Sequence, residues 1–193
     1  LLLVLSTVLI AAAGYVINNI FDQDTDLENK PNRVVIGKSI TESAAYNIYA
    51  VLNISGVVLG FYLSNVIVKP SFAAVFILIA ATLYIYATSL KQMILLGNVI
   101  VALLLSFSVL IIGIFDLYTA INTENQLLMA SLFSILVDYA VFAFLINLIR
   151  EIVKDLEDIN GDTSQGMNTL AIFLGVSKTT KLVFALGIIS VIT

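Results

Sequence analysis

The stretch INNIFDQDTDLENKPNR, residues 17–33, decides how this chain is read. It follows without a break on an apolar run that opens at Leu1. Acids and carboxamides crowd its first half, and Lys30 and Arg33 close it. An apolar helix that ends in acids asks what the acids hold where it leaves an oily environment.

The environment follows from composition. Of 193 residues, 60% are hydrophobic and 11% charged, and the mean hydropathy is +1.06. Soluble domains carry about 25% charged residues. The apolar residues here fall into blocks long enough to cross a bilayer, which takes about 20 residues per helix. The fold class is therefore an all-α polytopic membrane protein, a bundle of transmembrane helices. Six apolar segments can be read, near 1–20, 44–68, 72–88, 94–115, 127–149 and from 182 onward. Ser39 and Glu42 have the spacing of a capping box for the second helix, and Lys69–Pro70 marks a tight hairpin. Residues 115–126 form a longer polar loop, and no low-complexity linker interrupts the chain, so residues 1–193 are expected to be a single domain. The first run lacks the cationic start of a signal peptide. Both ends lie inside apolar runs, so the domain is expected to be incomplete at both ends.

With neither Cys nor His in the chain, disulfides, thiolate nucleophiles and the usual zinc or haem ligands are excluded. A bound metal would be held by oxygen, which favours Mg²⁺, Ca²⁺ or Mn²⁺. The net charge of −4 says less than the placement of charge. Lys30, Arg33 and Lys38 follow the first helix, Lys91 the third, and Arg150, Lys154, Lys178 and Lys181 the fifth. Because successive helices alternate direction, all eight share one side and Lys69 alone sits opposite. By the positive-inside rule that side is cytoplasmic, and it also carries the acids.

The acids form two groups. Asn18, Asp22 and Asp26 recur every four residues and share one face of a helix, while Asp24 points nearly the other way. Asp155, Asp158 and Asp162, within REIVKDLEDINGD, are spaced by three and four and again share a face. Four spans separate the groups, so they emerge on the same side. A single run of acids outside a membrane helix reads as a solvated cap. Two helix-spaced runs on one side favour chemistry. Unscreened carboxylates about 4 Å apart repel by roughly 4 kcal/mol at an effective dielectric near 20, so a cation is expected between them. Mg²⁺ holding a diphosphate satisfies that need, and Arg33, Lys30, Lys91 and Arg150 are placed to take the remaining negative charge.

These residues resemble the motifs of the UbiA superfamily of intramembrane prenyltransferases. The first family motif, Asn-x-x-x-Asp-x-x-x-Asp followed by Asn-Lys-Pro-x-Arg, is matched by Asn18, Asp22 and Asp26, then by Asn29, Lys30, Pro31 and Arg33. Asn19 stands where the family more often has Asp. The second motif, Asp-x-x-x-Asp, is matched by Asp158 and Asp162, with Asp155 just upstream; Tyr86 and Lys91 in YATSLK fit a further element. The string REIVKDLEDINGD resembles most the branch that makes digeranylgeranylglyceryl phosphate. The family has nine spans, so the resemblance implies that helices are missing here.

What the resemblance implies is Mg²⁺-dependent transfer of a prenyl group from a polyprenyl diphosphate, geranylgeranyl diphosphate in that branch, to a lipophilic acceptor such as geranylgeranylglyceryl phosphate. It implies Mg²⁺ ligands among Asp22, Asp26, Asp155, Asp158 and Asp162, an orienting role for Asn18, and diphosphate contacts from Arg33, Lys91, Lys30 and Arg150. Tyr86 either faces an allylic cation or is an interfacial tyrosine. Other readings stay open: an aromatic prenyltransferase of quinone or haem biosynthesis, and a cation-coupled transporter, although transporters place their acids near the midplane on broken helices. The Asp-Gly and Ala-Arg pattern of CDP-alcohol phosphotransferases is absent from the sequence, and no nucleic-acid partner is expected. Asp138, in the middle of the fifth helix, is read as an interhelical hydrogen bond. Gly56, Gly60, Gly97 and Gly113 are read as close-packing positions, and Asn98 either as polar glue or as lining the site.

Overall fold

The computed structural model describes residues 1–32 and 34–192, so Arg33 lies outside the described residues. Five helical stretches are long and apolar enough to cross a membrane: Leu2–Phe21, Glu42–Val66, Pro70–Thr88, Leu96–Ala120 and Gln126–Glu157. The sixth apolar segment becomes a helix of 17 residues, Val176–Ile192, which starts earlier than the expected Leu182. The chain divides into two compact units.

The first unit is Leu1–Ile94 together with Asp158–Thr169. It holds α1 (Leu2–Phe21), α2 (Gln23–Asn29), α3 (Glu42–Val66), α4 (Ala73–Thr88) and, from the later segment, α7 (Ile159–Ser164). The buried residues of α1 are Ser6, Ile10, Ala13, Ile17 and Ile20, alternately four and three apart. That spacing makes one seam along the helix, and it packs on α3 and α4. The facing surface of α3 is small, with Gly56, Gly60 and Ser64 buried four residues apart, the kind of surface that lets backbones approach inside a membrane. A Cβ at Gly56 would lie 2.7 Å from Ile10 Cγ1, and one at Gly60 would lie 2.4 Å from the Phe76 ring. Ser6 Oγ donates to Gly56 O at 2.7 Å. Both glycines thus serve the packing expected of them. The outer faces of these helices carry exposed apolar side chains such as Val4, Val8, Val51 and Val58, which suits them to lipid.

The link from α2 to α3 folds back onto α1. Ile36 joins Ile17, Ile20, Ala45 and Ala87 in one buried cluster. To bring it there the chain turns tightly at Gly37, whose φ of +82° favours glycine, and Gly37 N donates to Ile40 O at 2.9 Å. This turn consumes Ser39, whose N donates to Val35 O. The expected cap at Ser39 is therefore corrected: the N-cap of α3 is Thr41, whose Oγ1 accepts from Ala44 N at 3.2 Å. The hairpin at Lys69–Pro70 forms as expected, with one tight helical turn at Pro70–Phe72 leading into α4.

The second unit is Leu95–Glu157 together with Leu170–Thr193. Within it α5 (Leu96–Ile112) packs on α6 (Gln126–Glu157), and α9 (Val176–Ile192) packs on α6 and on the short α8 (Leu170–Leu174). Ser106 Oγ ties α5 to Ala140 O at 2.7 Å. A Cβ at Gly113 would meet the Phe133 ring at 2.7 Å, again a close-packing glycine, and Gly97 is buried near the start of α5. The helix widens by one turn over Gly113–Leu117 and tightens over Tyr118–Ala120, so the expected loop from 115 to 126 is shorter than its polarity indicated. Asp138 is exposed on α6, and the interhelical hydrogen bond expected of it does not form among the described residues.

Candidate active site

Within the first unit the C-terminal end of α1, with α2 and α7, holds most of the expected site. The backbone kinks mildly at Asp22 (φ −97°, ψ 4°) between α1 and α2. The hydrogen-bond ladder nevertheless runs on: Asp22 N donates to Asn18 O, Asp26 N to Asp22 O and Lys30 N to Asp26 O, at 2.8–2.9 Å. Each bond spans four residues, so Asn18, Asp22, Asp26 and Lys30 stack on one face, as the spacing predicts. Asp24 and Asn19 are exposed. On the other strand of the site Asp162 N donates to Asp158 O at 3.0 Å, which stacks that pair as well. Asp158 and Asp162 are both buried.

Two lysines link the acids. Lys91, on a tight turn after α4, pairs through Nζ with Asp22 Oδ1, and its side chain is only 8% exposed. Lys30 Nζ pairs with Asp158 Oδ1 at 2.7 Å. The structure thus brings Asn18, Asp22, Asp26, Lys30, Lys91, Asp158 and Asp162 into one unit. Four carboxylates and two ammonium groups leave a formal charge of −2 among these side chains.

The remaining expected residues stand elsewhere. Asp155 lies on α6 in the second unit, where Asn98 Nδ2 donates to its Oδ2 at 3.0 Å; Asn98 is thus polar glue between α5 and α6. α6 ends at Glu157 and α7 begins at Ile159. Arg150 is exposed on α6 and pairs with the buried Glu151 beside it. Tyr86 is half-buried on α4.

Sequence reading assigned no role to Asn29 beyond its place in a motif, nor any to Gly161. In the structure Asn29 Nδ2 donates to Asp158 O at 3.0 Å and Asn29 Oδ1 accepts from Gly161 N at 2.9 Å. The one sequence signal was a glycine inside an acidic helical string, INGD. Asn168 N also donates to Gln92 O at 3.1 Å, which ties the segment after α7 to the turn that carries Lys91.

The donors suit a hard divalent cation. Every side-chain donor of the acid ladders is oxygen except the amide nitrogen of Asn18. Asn18 Nδ2 is engaged by Asp22 Oδ2, which leaves Asn18 Oδ1 buried and without a hydrogen-bond partner among the described residues. A buried carbonyl oxygen beside a carboxylate is a ready acceptor for a cation or its water. No three carboxylates converge on a single point among the described residues.

Residues 1–193 match the UbiA prenyltransferase family. The digeranylgeranylglyceryl phosphate synthase of Korarchaeum cryptofilum is 34% identical over 186 residues, which cover 95% of this chain and 59% of that protein. The synthase of the same name from Sulfolobus acidocaldarius is 37% identical over 171 residues, covering 89% of this chain and 56% of that protein. A solved structure concerned with digeranylgeranylglyceryl phosphate synthase in membranes matches with a TM-score of 0.62 and 30% identity, covering 99% of this chain and 61% of that one. The chain therefore spans about three fifths of the length of the relatives it matches. The five span-length apolar helices make it an integral membrane protein. By the match along its whole length, the chain belongs to the UbiA prenyltransferase family.

Proposed function

We propose that this protein transfers a prenyl group from a polyprenyl diphosphate, geranylgeranyl diphosphate in the first instance, to geranylgeranylglyceryl phosphate in ether-lipid synthesis. The carrying observation is the meeting of two aspartate pairs in one unit with Lys30 and Lys91 among them. An acid-only cluster would suit a bare cation. Acids with sheltered lysines among them suit a polyanion that arrives with a divalent ion. The relatives named above carry the acceptor assignment.

In this reading Asp22, Asp26, Asp158 and Asp162 hold Mg²⁺, directly or through water, and Asn18 orients the headgroup through its spare Oδ1. When bound, the ion supplies neutralising charge to a departing diphosphate. Lys91 and Lys30 turn from their carboxylates toward phosphate oxygens and offset the charge that grows there as the allylic C–O bond breaks. Arg33 adds to that charge balance, and the ring of Tyr86 faces the cation left behind. The acceptor hydroxyl then forms the new C–O bond and loses its proton. The apolar walls of the bundle keep water from intercepting the cation. The site faces the cytoplasm, following the placement of eight of nine cations, and residues 1–193 work as part of a single catalytic domain.

The test is a product assay in lipid nanodiscs with geranylgeranyl diphosphate and a panel of acceptors: geranylgeranylglyceryl phosphate, 4-hydroxybenzoate, dihydroxynaphthoate and haem b. Digeranylgeranylglyceryl phosphate is the expected product. Prenylation of an aromatic acceptor instead moves the protein to another branch. Saturable binding of a simple cation with no affinity for any prenyl diphosphate turns the reading toward transport.

A further inference from the structure

Three consecutive residues at the end of α2 reach α7. Glu28 accepts from Ser164 Oγ, Asn29 bonds the backbone at Asp158 and Gly161, and Lys30 pairs with the Asp158 carboxylate. Asn29 is the one that touches only main chain. Its amide takes the Gly161 N–H, a first-turn donor that a helix leaves without an internal partner, and gives its own N–H to the Asp158 carbonyl.

The buried residues of α7 are Gly161 and Asp162, so apolar burial cannot fix where it sits on α2. Close approach is built in instead. A Cβ at Gly161 would lie 2.5 Å from Asn29 Nδ2 and 2.9 Å from Thr25 O. Glycine is the residue that lets the two short helices meet at this distance, and Asn29 is the side chain that fills the contact.

We propose, resting on the diphosphate reading above, that Asn29 is a positioning residue: its amide locks α7 to α2 and so fixes how far Asp158 and Asp162 stand from Asp22 and Asp26, with Gly161 as the partner the lock requires. Asn29 follows Asp26 by three residues on α2, and its bonds fall on the backbone of Asp158 itself. A change at Asn29 therefore moves one pair of carboxylates against the other without removing any of them.

The experiment is prenyl transfer in nanodiscs at saturating prenyl diphosphate with Mg²⁺ varied, alongside thermal unfolding. Asn29→Ala is expected to raise the half-saturating Mg²⁺ concentration by about tenfold or more, the usual scale for loss of a residue that orients metal ligands, while the melting temperature of the bundle holds. Gly161→Ala is expected to act in the same direction. The double variant is expected to be no worse than the poorer single one, because removing the Asn29 side chain relieves the methyl's nearest contact and leaves only that with Thr25 O. Wild-type Mg²⁺ dependence in Asn29→Ala, or single effects that multiply in the double variant, overturns the lock. If Asn29→Ala does not fold, Asn29→Asp, which keeps the acceptor for Gly161 N–H, takes its place under the same criteria. Mn²⁺ binding followed by electron paramagnetic resonance separates this idea from the function on which it rests. If the wild type transfers no prenyl group yet binds Mn²⁺ more tightly than Asn29→Ala, the lock stands and the reaction fails. Equal Mn²⁺ binding, or none in either protein, overturns the lock.

Discussion

Lys30 Nζ lies 2.7 Å from Asp158 Oδ1, across 128 positions of sequence. The two side chains are 22% and 12% exposed, so the pair is sheltered but not dry. Such a pair ties α2 to the residue that leads into α7. It also sets aside a cation that a phosphate oxygen can claim.

Lys30→Met should therefore act twice. It leaves a sheltered carboxylate without its partner, which costs about 1–3 kcal/mol; partial exposure places the effect at the lower end of that range. It also weakens the hold on a diphosphate. Thermal unfolding in detergent reads the first effect and titration with a labelled prenyl diphosphate reads the second. The double variant Lys30→Met, Asp158→Asn should recover stability but not binding. A double variant as unstable as Lys30→Met alone would mean the pair is not what Lys30 contributes.

Asp22 carries the other link, to Lys91, and shares its face with Asn18 and Asp26. Asp22→Ala and Asp158→Ala are each expected to abolish transfer in protein that still elutes as a folded particle from size exclusion. Asp24→Ala changes the same charge two residues away, on an exposed position, and should keep near wild-type turnover. Equal losses at Asp22 and Asp24 would point to bulk charge and not to the ladder.

The ladder shows what was legible beforehand. Spacing alone placed Asn18, Asp22 and Asp26 on one face, and the bonds that pass through Asp22 keep them there despite the kink. Local periodicity also gave the helices and the packing roles of Gly56, Gly60 and Gly113. It failed where the answer depended on distant chain. The break between α6 and α7 at Asp158 was not read from the spacing. The cap at Ser39 was lost because Ile36 is drawn into a cluster with Ile17, Ile20 and Ala87. The role of Asn29 was hidden because its partner Gly161 lies 132 residues away, and no local pattern encodes that pairing.

Chelation tests the ion directly. The ladders present oxygen donors, and Asn18 Oδ1 is buried without a partner among the described residues. Activity is expected to vanish in EDTA and to return with Mg²⁺, and with Mn²⁺ as a second hard ion. Transfer that continues at wild-type rate in chelator would leave Lys30 and Lys91 as the agents that neutralise the diphosphate. In that event Asn18→Ala should be silent.

Gly60 tests the scaffold rather than the chemistry. An added methyl there would sit 2.4 Å from the Phe76 ring, and Phe76 is fully buried, with 0% exposure. The ring cannot give way without disturbing α4, which ends near the turn that carries Lys91. Gly60→Ala should therefore cost about 1–3 kcal/mol, the usual scale for overpacking a tight contact, seen as a lower melting temperature in detergent. Phe76→Leu removes the ring and should restore part of that loss in the double variant, while Phe76→Leu alone destabilises by leaving a void. A rescue of this kind locates the strain between α3 and α4. If Gly60→Ala melts like the wild type, the two helices have room to separate, and the α3–α4 contact is looser than its 2.4 Å approach implies.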